Sequence, residues 1–135
     1  MNKNSSRRLY QIEEIYALFK TEFLGITQKF EFIPLSMTEA KDKKDLIIAR
    51  PGVYVYWHPK IGVIKVGRNF TNSRKRALEH VRDNTGGKMK ELAKDHALRL
   101  LLFNIKRDED LHWVAALEVF FELRLEPDIR SERLG

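Results

Sequence analysis

Apolar side chains at Leu9, Ile12, Ile15, Tyr16, Phe19 and Phe23 recur every three or four residues, which predicts a helix over 9–24. The run Lys29–Leu35 alternates briefly and is β-branched or aromatic, so it predicts a short strand or extended segment. Ser36 followed by Glu39 is a capping-box pair and should open a helix running to about Ile48, before Pro51 forces Arg50 out of helical geometry. Two strand-like runs follow, Gly52–Trp57 and Val63–Gly67, separated by a turn containing a proline and a glycine. Beyond a loop at Asn69–Asn72, with Thr71 or Asn72 as helix cap, the spacing of Ala77, Leu78 and Val81 predicts a helix over Ser73–Asp83. Asn84–Gly87 breaks it. A short helix at about Lys88–Asp95, a buried strand over Leu98–Lys106 and a last helix over Asp108–Leu125, stopped by Pro127, complete the chain.

The order from the hairpin onward is therefore β-β-α-α-β-α. It predicts an α+β fold: a small antiparallel or mixed three-stranded sheet flanked by helices. Residues 49–135 form this domain, and residues 1–48 form an N-terminal helical extension packed on it.

Composition narrows the classes. At 135 residues and 43% apolar content the chain builds one core. No apolar run approaches the length of a membrane span, and MNKNSSRR has no signal-peptide core. The absence of cysteine rules out disulfides and thiolate chemistry, and makes the cytoplasm the expected location. The net charge of +6 favours a polyanionic partner, and Lys65, Arg68, Arg74, Lys75, Arg76, Arg82, Lys88 and Lys90 crowd into one central stretch.

Three constellations carry chemistry. Glu118 is the one polar residue of Trp113–Phe121, and a carboxylate on an apolar helix must be paired, protonated or metal-bound. A buried ion pair with an arginine or lysine, or a place at the helix edge, satisfies the same pattern. Arg76 and His80 stand one helical turn apart beside the apolar stripe; a guanidinium fork suits phosphate oxygens and an imidazole relays protons, although a solvated basic face has the same spacing. In the hairpin, Tyr54 and Lys65 share a face. With a four-residue loop at His58–Ile61 they stand directly opposite one another, so that the ammonium stabilises phenolate or its stem merely covers the ring.

Taken together, Gly52-Val53-Tyr54, Lys65-Val66-Gly67, Arg76, His80 and the Glu118 helix leading to Pro127 resemble the GIY-YIG nucleases. The resemblance covers residues 52–127. It implies a divalent-metal-dependent endonuclease that hydrolyses phosphodiester bonds in DNA; RNA stays open as a substrate. Tyr54 is similar to the hairpin tyrosine that acts as general base or orients the attacking water, and Lys65 stands in place of the second tyrosine, as in some restriction-enzyme members. Arg76 resembles the arginine that neutralises the scissile phosphate, His80 the histidine that supports the tyrosine, and Glu118 the carboxylate that holds one Mg2+ or Mn2+ ion. Lys88 is the nearest substitute for a further basic residue, and Pro127-Asp128-Ile129 lacks the asparagine that many members carry. Arg68, Arg74, Lys75 and Lys88 are the expected nucleic-acid contacts. Sequence specificity comes from loops in the core, is supplied by a homodimer or protein partner, or is weak; no membrane partner is expected. The alternative is an inactive module of the same fold that only binds nucleic acid or protein.

Overall fold

A computed structural model describes residues 7–83 and 87–130, with side chains throughout except at 82 and 83. Strands β1 (Phe30–Ser36), β2 (Gly52–His58), β3 (Gly62–Asn69) and β4 (Arg99–Ile105) form one sheet in the order β1-β4-β2-β3. All three pairings are antiparallel. The expected class holds, but the sheet has four strands rather than three. The reason lies in β4, whose run RLLLFNI is buried from Leu100 to Ile105 on both faces. A strand of that kind is a central strand and needs two neighbours. The segment Phe30–Ser36 supplies the second, pairing with β4 from Phe30↔Ile105 to Ser36↔Arg99. The N-terminal segment thus contributes a strand as well as helices.

Alternation along the strands divides the core in two. On one face α1 (Ile12–Glu22) and α5 (Leu111–Arg124) lay Ile15, Phe19, Leu117 and Phe121 on Val53, Val55, Val66 and Phe103. On the other face α2 (Met37–Asp42), α3 (Ser73–Asp83) and α4 (Lys88–Leu92) lay Met37, Ala77 and Met89 on Tyr54, Tyr56, Ile64 and Leu102. Burying each valine, leucine, isoleucine, phenylalanine or methionine among them is worth roughly 1.5–3 kcal/mol.

The capping box that opens α2 forms as the spacing predicts: Glu39 N–H donates to Ser36 Oγ at 3.2 Å, and Ser36 N–H to Glu39 Oε1 at 2.9 Å. The helix nevertheless ends at Asp42 instead of Ile48. Asp42–Asp45 offers no apolar side chain to bury, and a helix of this length depends on tertiary packing. A 3₁₀ turn over Leu46–Ala49 takes up the rest. Helix α3 has the predicted bounds, α4 ends at Leu92 rather than Asp95, and a 3₁₀ turn over Asp108–Asp110 precedes α5. The break at Asn84–Gly87 lies largely outside the described residues. Among the described residues, no helix is long and apolar enough to cross a membrane.

Candidate active site

The site is organised by β3, the edge strand to which elements of both sheet faces come. Its register with β2 differs from the expected one. The turn is one residue shorter, pairing His58 with Gly62, and a bulge between Tyr56 and Trp57 adds Ile64 to β3. Together these shift the pairing by two residues, so Tyr54 stands opposite Gly67 and Lys65 opposite Tyr56. Beyond the bulge, over Lys65–Asn69, a shift of two keeps each side chain on its face, whereas Val63 before it falls in the core of the α1 and α5 face. Lys65 therefore remains on the Tyr54 face but lies diagonal to it. The Tyr54 ring lies over Gly67: a Cβ there would sit 2.3 Å from both Cζ and Oη of the tyrosine. Glycine at this position is the condition for the phenol to lie flat across the strand.

Tyr54 is 1% exposed, boxed by Tyr56 at 6.2 Å and by His80 at 6.2 Å between ring centroids. Tyr56 donates from its hydroxyl to the Ala77 carbonyl at 2.8 Å, which ties β2 to α3. Burial, with a smaller contribution from the neighbouring Tyr54, pushes the Tyr56 phenol far above its ordinary range, so it stays a neutral donor. Lys65 is also buried, and its strand meets Ile129 beyond α5 in a parallel bridge.

Helix α3 is seated by a buried polar network that the hydrophobic pattern does not reveal. Asn72 caps it, accepting from Lys75 N–H at 3.0 Å. Ser73 Oγ donates to Asn104 Oδ1 at 2.5 Å, and Asn104 Nδ2 donates to the carbonyls of Ile47 and Ile48 at 2.8 and 3.2 Å. Gly52 makes room for this amide, since a Cβ there would sit 2.1 Å from Asn104 Oδ1. The signal for Asn104 was available: it is the one uncharged polar residue in the run from Leu98 to Lys106. Thus seated, α3 brings His80 to Tyr54 and turns Arg76 toward a cavity. Arg76 also pairs with Glu79 at 3.6 Å.

Glu118 is 4% exposed on α5, and its carboxylate accepts from the Arg68 guanidinium. The buried ion pair left open by the sequence is thus present, with an arginine expected to contact nucleic acid. Arg68 stands opposite Val53, so its side chain leaves β3 on the α5 face. Yet it lines a cavity of about 210 Å³ together with Asn69, Phe70 and Arg76 of the α3 side. Arg68 thus joins two groups of predicted residues. Tyr54, Lys65, Arg76 and His80 stand on the α3 face, and Glu118 reaches that side through its ion pair. Sequence reasoning also missed Glu122, one turn beyond Glu118, which is fully buried and paired with Arg130 Nε at 3.2 Å. Conversely α5 is not buried all round: Val119 and Leu123 are 40% and 64% exposed.

The remaining predicted contacts divide. Lys75 is exposed. Arg74 is engaged within the fold, donating to the carbonyls of Ala40 and Lys43 at 3.0 and 2.9 Å. Lys88 pairs with Asp128, the residue after Pro127, whose N–H donates to the Val63 carbonyl at 3.1 Å. The segment lacking the asparagine is thereby pinned to the edge of β3.

Glu118 suits a divalent ion in one respect: its carboxylate already holds a cation. Among the described residues, no group of three or more histidine, aspartate or glutamate side chains gathers at a metal-binding spacing. A single carboxylate is a donor set that suits Mg2+, which keeps several waters and takes the rest of its shell from substrate phosphate. No family model, no curated protein and no solved structure matches this chain.

Proposed function

We propose that this chain is a GIY-YIG-type endonuclease that hydrolyses phosphodiester bonds in DNA with one divalent ion, Mg2+ or Mn2+. The observation that carries the reading is the seat of Tyr54 across Gly67, with the His80 ring beside it and Arg76 one turn earlier on the same helix. That is a phenol, an imidazole and a guanidinium from the hairpin and the next helix, in the order the sequence resemblance implies.

In this reading Tyr54 Oη accepts a hydrogen bond from the attacking water and passes its proton toward the His80 imidazole. Arg76 holds the nonbridging oxygens of the scissile phosphate and meets the charge that grows there. Lys65 adds fixed positive charge on the same face. Glu118 would hold the ion, and Arg68 would have to release Glu118 as it binds. When bound, the ion polarises the phosphate and stabilises the departing 3′ oxygen.

One observation favours a second reading. Arg68 already neutralises Glu118, as it would in an inactive module of the same fold that only binds nucleic acid. Nicking of supercoiled plasmid with Mg2+ separates the two. The enzyme cuts, and Glu118→Gln loses at least 100-fold in rate while still binding DNA. Binding without cutting by both chains would overturn the enzyme and leave the module.

A further inference from the structure

The turn that leaves β3 carries a group the hydrolytic chemistry does not use. Phe70 is 45% exposed. Its backbone is held in place, because Asn69 Oδ1 accepts from the N–H groups of Thr71 and Asn72 at 2.9 and 2.8 Å. The Arg68 guanidinium stands over its ring, 5.0 Å from the centroid. A single exposed aromatic is ordinary on a protein surface. This one shares a cavity with two arginines, Arg68 and Arg76.

Those groups match the two halves of a nucleotide. A guanidinium fork takes phosphate oxygens two at a time. An aromatic ring on a fixed turn offers its face to a base, and base–aromatic stacking tolerates any sequence. A base can use such a ring only when it has left the duplex stack, as in single strands, flaps and extruded nucleotides. The cavity of about 210 Å³ exceeds the ~30 Å³ of one water several-fold, so it has room for a phosphate and the edge of a base.

We propose that this cavity binds a DNA nucleotide whose base is unpaired, with the phosphate on Arg68 and Arg76 and the base on Phe70. The substrate is then DNA carrying a single-stranded segment, in preference to fully paired duplex. As a statement about what is cut, this rests on the nuclease reading; as a statement about what is bound, it does not.

The test is binding by the full chain in the presence of a chelator, so that nothing is cut. Fluorescence anisotropy compares a single strand, a duplex with a single-stranded flap and a blunt duplex of the same sequence. The wild type binds the first two more tightly than the third. Phe70→Ala weakens single-strand binding by about 5- to 150-fold, the range of one lost base stack, and leaves blunt-duplex binding within twofold. Phe70→Trp restores it. A 2-aminopurine placed in the single strand is quenched by the wild type and not by Phe70→Ala. Equal affinity for single strand and duplex, or an equal loss on both in Phe70→Ala, would overturn the proposal. So would tighter binding to the RNA strand of the same sequence. A preference for single strands in a chain that, with Mg2+, cuts neither plasmid nor the flap duplex would end the nuclease reading and leave this site standing. Nicking without that preference would do the reverse.

Discussion

Gly67→Ala puts the seat of Tyr54 to the test. The backbone at Gly67 is not in the left-handed region, where Gly25, Gly62 and Gly87 lie, so an alanine costs nothing in φ and the whole effect is steric. Its methyl group would sit 2.3 Å from Cζ and Oη of Tyr54 and 2.7 Å from Cε2. Carbon atoms in contact sit about 3.5–4.0 Å apart, so the ring must retreat by more than ~1 Å. Tyr56 and His80 stand on its other sides. Overpacking of this kind costs about 1–3 kcal/mol, and in a domain this size each kcal/mol lowers Tm by roughly 3–6 °C. Thermal unfolding of Gly67→Ala, Tyr54→Leu and the double variant closes a cycle. If the ring is the obstacle, Gly67→Ala costs little once Tyr54 is leucine, and the coupling reaches about 1–2 kcal/mol. Additivity within ~0.5 kcal/mol would mean the ring does not lie over this glycine. On the proposed function, nicking should fall more steeply than stability, because a 1 Å displacement of a reacting group costs up to ~100-fold in rate.

Arg68→Ala leaves the Glu118 carboxylate buried without its cation; breaking such a pair costs about 3–5 kcal/mol, and on the nuclease reading added Mg2+ should raise the Tm of this variant more than that of the wild type. An unchanged Tm in metal-free buffer would show that the pair carries no weight. Asn104→Ala removes the partner of Ser73 and of two carbonyls and should cost about 2–4 kcal/mol in chemical denaturation, whereas a loss under ~1 kcal/mol would mean α3 is seated by apolar contacts alone. The Ala97 N–H, and after it His58, donate to Asp95 and hold its carboxyl below the ordinary aspartate value. A folded value lowered in this way stabilises above the unfolded value and is lost as pH falls through the folded one, so Asp95→Asn should flatten the acid limb of the Tm-against-pH curve. An acid limb identical to the wild type would count against that linkage.

Local order was legible where one signal dominates. The Ser36/Glu39 box, the bounds of α3 and the hairpin itself follow from spacing, because caps, turns and periodicity act within a few residues. What spacing could not supply is long-range pairing. The fourth strand depends on β4 needing a second neighbour, which Phe30–Ser36 provides from about seventy residues away. Register failed for a related reason: a shorter turn and a bulge each move the pairing by one, and no turn or breaker residue in Val63–Gly67 announces the bulge. Glu118 stood out because it interrupts an apolar run, and Asn104 does the same in β4. Glu122 did not, since a glutamate near a helix end ordinarily faces solvent.

The location of the site explains why its parts look weak one at a time. An antiparallel sheet covered on both faces leaves one place where residues from opposite faces can meet without crossing the core, and that is an edge. Here the edge is β3, flanked by α3 on one side and α5 on the other. A carboxylate on α5 and a phenol on β2 point to different faces, so neither a helical wheel nor a strand pattern puts them together. The group that spans the edge is Arg68, bound to Glu118 and exposed to the same cavity as Arg76. The same residue thus neutralises the acid and presents charge to the cavity. On the proposed function, a cation that takes Glu118 competes with Arg68 for the carboxylate, and Arg68 lines the cavity where a phosphate would sit. On the proposed function, then, ion and phosphate should favour each other's binding, and the linkage should vanish in Arg68→Ala while surviving in Arg74→Ala, whose guanidinium is spent on the carbonyls of Ala40 and Lys43. Titration of Mn2+ with and without single-stranded DNA, in a Tyr54→Phe background that suppresses cutting, measures that linkage; an Mn2+ affinity that DNA leaves unchanged would refute it.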